Sequence, residues 1–111
     1  MARHYGKNPD NAFYARAAKP GEYLVVRQGT DRVVGVVKKE PGRWYAEAVV
    51  ERDLLGNFRS PRFINASSDT LTGVLVVLEA RLWKKRSAPN LSSMNNCYRL
   101  MREVADLLAK Q

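Results

Sequence analysis

Two short runs of the 111-residue chain set cations beside aromatic rings, a pairing of residue types suited to nucleic acid contact. In the first, GVVKKEPGRWYAE from Gly35 to Glu47, the residues Lys38, Lys39 and Arg43 flank a Pro41-Gly42 turn, and Trp44 and Tyr45 follow directly. Cations so placed can neutralise phosphates while Tyr45 stacks on a base or sugar, and Arg59 and Arg62 can join them from the next segment. The second run is RLWKKR, in which Arg81, Lys84, Lys85 and Arg86 surround Trp83 and can clamp a phosphate backbone. Both runs also have ordinary explanations. Lys38 and Lys39 flank a solvated turn, and Arg43 can pair with Glu47 or Glu51 on its own strand. Cations at a helix C-terminus complement the helix dipole, which is the preferred reading of the second run, and Trp83 reads first as a packing residue.

Other chemistries lack their residues. His4 is the only histidine and Cys97 the only cysteine, so no Ser/His/Asp or Cys/His set has a second histidine to use, and no zinc cluster can form. No phosphate loop of the GxxxxGK type occurs, and Asp31, Glu40, Glu47, Glu51 and Asp53 are scattered among basic neighbours. The expectation is a protein that is not an enzyme and needs no cofactor or metal. Cys97 reads as a small buried hydrophobe.

Charge points the same way. Nineteen Lys and Arg against eleven Asp and Glu give a formal net charge of +8. It is spread along the chain: residues 1–20 carry four cations and one anion, residues 21–65 eight and six, and residues 66–111 seven and four. Such a field favours polyanions, with duplex DNA first; an adaptor or inhibitor that docks on an acidic protein partner is the competing reading, and single-stranded DNA or RNA a third. The opening MARHYGKNPDN has no apolar signal core, and the longest apolar run, Val74 to Leu78, is too short to cross a bilayer. A cytoplasmic protein without a membrane partner is expected.

The elements that must position these residues follow from local signals. Asn8-Pro9 offers a helix cap and a first-turn proline, predicting a short helix through Ala18 that Lys19-Pro20-Gly21 stops. Residues 1–21 thus form a short helical or flexible basic segment. Residues 22–86 read as a β-meander plus a helix. Strands are expected over Tyr23–Arg27, Arg32–Lys38, Arg43–Arg52 and Phe58–Ile64, the last an edge strand because it contains Pro61. Alternation along the third puts Trp44, Ala46, Ala48 and Val50 on one face, and Arg43, Tyr45, Glu47, Val49 and Glu51 on the other. The first set suits a covering helix; the second can face water or a ligand.

That helix is predicted from Leu71 to Lys85, with caps available in Ser67-Ser-Asp-Thr70. Residues 87–111 supply a linker and a C-terminal amphipathic helix striped by Cys97, Leu100, Met101, Val104, Leu107 and Leu108. This stripe can pack on the same domain or form a homodimer seam. The fold class is α+β, a three- to four-stranded antiparallel meander with a long helix on one face and a C-terminal helix.

This order, with Gly35-Val36 and Gly42-Arg43-Trp44-x-Ala46-Glu47, resembles the plant apetala/ethylene-response DNA-binding domain and its phage integrase arm-binding relatives, over residues 32 to 85. The resemblance implies a three-stranded sheet laid in the DNA major groove, with Lys39, Arg43 and Glu47 on the DNA face and Trp44 and Ala46 beneath the helix. Val37 and Val49 stand where that family usually has arginines, so phosphate contact is implied more than base readout. A regulatory or accessory role of the phage or plasmid type fits this picture.

Overall fold

The computed structural model describes residues 4–5, 10–52, 57–84 and 90–110. Its framework is one antiparallel sheet in chain order, β1 (His4–Tyr5), β2 (Phe13–Lys19), β3 (Glu22–Arg27), β4 (Arg32–Glu40), β5 (Arg43–Arg52) and β6 (Phe58–Ser68). Helices α1 (Leu71–Leu82) and α2 (Leu91–Ala109) follow. The class is α+β, as expected, and the meander is longer than expected.

The added length comes from the N-terminus. Phe13 to Lys19 form a strand paired with β3, where the sequence predicts a helix reaching Ala18; Asn8 and Pro9, which carried that prediction, lie outside the described residues. The reason is tertiary. Ala15 and Phe13 are fully buried beneath α1, and Lys19-Pro20-Gly21 is the turn of a β2–β3 hairpin, not a helix stop. Pairing with β3 and burial of the aromatic ring outweigh the modest helix preference of an alanine-containing run.

The β4–β5 hairpin follows local chemistry closely. Pro41 suits the first corner of a type II turn and Gly42, at φ 75°, supplies the left-handed second corner. Glu40 therefore faces Arg43, Lys39 faces Trp44 and Val37 faces Ala46. At Gly35 the two strands approach so closely that a Cβ would stand 1.9 Å from the Glu47 carbonyl oxygen.

Each face of the sheet carries a helix. On one, Val25, Val37, Ala46, Ala48, Ile64 and Ala66 pack against Val74, Leu75 and Leu78 of α1, with Trp44 and Tyr23 partly buried at the margin. Thr70 caps α1 by accepting from the Gly73 amide at 3.0 Å. On the other, Leu24, Val36, Val49 and partly buried Phe63 receive Cys97, Leu100, Val104 and Leu107 of α2, which Asn90 caps. These apolar contacts, and not intrinsic propensity, hold the two helices in place. No helix among the described residues is long and apolar enough to cross a membrane.

Candidate nucleic-acid interface

The partition of β5 into two faces holds: Ala46, Ala48 and Val50 lie under α1, and Val49 lies on the opposite side. The expected openness of that opposite side does not hold. α2 runs across it from β6 to β4: Arg99 places its guanidinium 6.0 Å from the Phe63 ring and pairs with Glu47, and one turn later Glu103 pairs with Lys38. A duplex laid flat on this sheet would meet α2 first.

The first run is divided and largely occupied. Because a two-residue turn sets Lys39 opposite Trp44, Lys39 lies on the α1 side, not on the Arg43 side where the family resemblance put it. Its ammonium sits 5.0 Å from the Trp44 ring centre, and Trp44 in turn packs on Tyr23 at 5.6 Å. On the other side, Arg43 donates from Nε to Glu40 at 2.8 Å and lies 5.5 Å from the Tyr45 ring. The Tyr45 hydroxyl accepts from the Asn65 amide at 3.2 Å.

Protonation follows these contacts. Lys38 is held above the ordinary lysine range, first by its hydrogen bond to Glu103, against partial desolvation. Arg99 is likewise held more firmly protonated by its bond to Glu47. Burial pushes the Cys97 thiol up, which keeps it protonated and inert.

The second run presents the opposite picture. Arg62, on the α1 side of β6 opposite Val50, donates from Nη2 to the Arg81 carbonyl at 2.8 Å. The fold thus brings Arg62 to the C-terminal end of α1, beside Arg81, Trp83 and Lys84. A cation from outside the helix already serves a terminal carbonyl, the role that the dipole argument gives to the helix's own basic residues. Among the described residues neither Arg81 nor Lys84 makes an ion pair. Trp83 is 68% exposed, so it is not a core residue. Arg59 lies in β6, and Lys85 and Arg86 lie outside the described residues.

Of the predicted site residues, the structure brings Arg62 to the Arg81 carbonyl at the end of α1, where Trp83 and Lys84 follow in the chain, while Lys38, Lys39, Arg43, Tyr45 and Glu47 lie on the β4–β5 hairpin. Sequence reasoning missed Arg99, whose spacing of four from Glu103 was its only visible signal. Among the described residues no three His, Cys, Asp or Glu side chains converge as metal ligands. No family model, curated protein or solved structure matches the chain.

Proposed function

We propose that this is a cytoplasmic, non-enzymatic nucleic-acid-binding protein that works through the C-terminal end of α1. Arg81 and Lys84 neutralise phosphates, Arg62 braces the helix end beside them, and Trp83 stacks on a base. The observation that carries this reading is the solvent-facing indole of Trp83, next in the chain to Lys84 and near Arg81, cations that no carboxylate among the described residues pairs. Phosphate contact supplies affinity that falls with salt, because each neutralised phosphate releases counterions. Stacking adds about 1–3 kcal/mol per base and tolerates any base, since every base has a π face.

Double-stranded DNA, the first partner suggested by charge, is held in this account by its phosphates alone, since its bases are already stacked. A single strand offers both contacts. Competition between labelled single-stranded and duplex oligonucleotides, across a salt series, tests the assignment. Steep salt dependence for both, with a single-strand preference that Trp83→Ala removes, is the expected result. Binding of neither at low salt defeats the proposal.

A protein-interaction role has one separate observation in its favour, an exposed apolar flank on α2.

A further inference from the structure

The stripe that the sequence shows on α2 is two stripes in the structure. Cys97, Leu100, Val104 and Leu107 are buried against the sheet. Beside them, Leu91, Met94, Tyr98, Met101, Ala105 and Leu108 recur at alternating intervals of three and four along the whole helix. Leu91 is 77% exposed, Tyr98 61%, Met101 44% and Leu108 40%, four of the six large hydrophobics exposed among the described residues. Among the described residues, the charged contacts of α2 to the sheet leave from its opposite flank, at Arg99 and Glu103. The exposed flank therefore has a spacing and a composition of its own.

Alternation of three and four is the spacing by which one helix meets another along a seam, each apolar knob entering a gap in the facing helix. Solvent alone gives no reason for a solvated flank to keep that spacing through five intervals. Beside this flank a cleft of about 190 Å³ opens between α2 and the sheet, lined by Val33, Val49, Met101, Ala105 and Leu108 and, on its sheet side, by the charged Arg32 and Glu51. A cavity of about 150 Å³ is known to hold one benzene ring, so the cleft has room for an aromatic side chain.

We infer that α2 is the seam of a two-fold homodimer, with Tyr98 of each copy seated at the Met101–Ala105 mouth of the other's cleft. Self-complementarity selects a second copy over a foreign helix. The protruding ring at Tyr98 and the recess beginning at Met101 are one helical turn apart on the same flank. A two-fold axis passing between those positions runs the two helices antiparallel and sets each ring against the other's recess, as an isologous interface requires. Ala105, small and central, allows close approach of the helices.

The chemistry of this contact is opposite to that of the α1 end, and the inference does not rest on nucleic-acid binding. Two chains of charge +8 repel, so added salt strengthens the dimer while it weakens any phosphate contact.

The test is sedimentation equilibrium of the full chain over a range of concentrations and salt, for the wild type and for Tyr98→Glu/Met101→Glu. The wild type is expected to dimerise, more tightly at high salt. The double variant should raise the dissociation constant at least about tenfold, because it places charge in an apolar seam. Both substitutions are at exposed positions, and an unchanged thermal melt at low concentration verifies the fold; Ala105→Arg serves if the double variant does not fold. A wild type that stays monomeric at millimolar concentration overturns the inference, and so does a dimer that the seam variants leave intact.

Discussion

The β4–β5 hairpin and the C-terminal end of α1 contain the same ingredients, lysine and arginine next to tryptophan, and the fold treats them in opposite ways. Beside the hairpin turn three cations have internal uses: Lys38 holds Glu103, Arg43 holds Glu40, and Lys39 lies over Trp44. At the end of α1, Arg62 satisfies the helix terminus while Trp83 and Lys84 are exposed and Arg81 is half-buried. The density of cations along a chain thus says little about their availability. What decides it is whether the fold has placed a carboxylate or a ring within reach.

The hairpin's work is structural in this account, and the largest effect should come from breaking it. Gly35→Ala would push a methyl group into the backbone of β5, which cannot withdraw without losing its own pairing. A loss of about 3 kcal/mol or more is expected in chemical denaturation, enough to abolish the fold of a marginal domain. A stability close to wild type would show that β4 and β5 are not so tightly joined.

A much smaller effect should separate the hairpin's cations from the helix end by pH. The folded state raises the affinity of Lys38 for its proton through Glu103, so the protonated form favours folding. That contribution is fully present below the ordinary lysine pKa and is lost as pH rises through the higher folded value. Being partly solvated, the pair contributes modestly. Denaturation of wild type and Glu103→Gln at neutral and strongly alkaline pH should show two curves that converge as pH rises. A constant gap would mean that Lys38 and Glu103 are not coupled.

Much of this architecture was legible from the chain because its signals are local. Pro41-Gly42 fixed a two-residue turn, alternation sorted β5 into two faces, and Thr70 stood among the caps that the first long helix needed. The register was legible too, since a two-residue turn that pairs Glu40 with Arg43 must pair Lys39 with Trp44. The family resemblance drew Lys39 to the wrong side against that arithmetic. β2 was not legible, because its strand character comes from pairing with β3 and burial under α1, neither of which leaves a mark in Ala15-Arg16-Ala17-Ala18.

The seat of α2 was hidden for a related reason. Val36, Val49 and Phe63 are a sparse apolar set among polar neighbours, and only their meeting across three strands makes a surface that a helix can cover. The same holds for the candidate site. Arg62 and Arg81 are nineteen positions apart, and no pattern in the sequence announces that one will serve the carbonyl of the other.

The most direct test of the central claim sets the two regions against each other with one probe. Fluorescence anisotropy of a labelled single-stranded oligonucleotide would be followed against salt for the wild type, Trp83→Ala/Lys84→Ala and Lys39→Ala/Arg43→Ala. The account predicts that the α1-end variant loses about 2 kcal/mol of binding and flattens the salt slope by roughly one ion, while the hairpin variant changes affinity by less than about 0.5 kcal/mol. Greater loss in the hairpin variant, or equal loss in both, would contradict it and return the phosphate-binding role to Arg43 and Lys39.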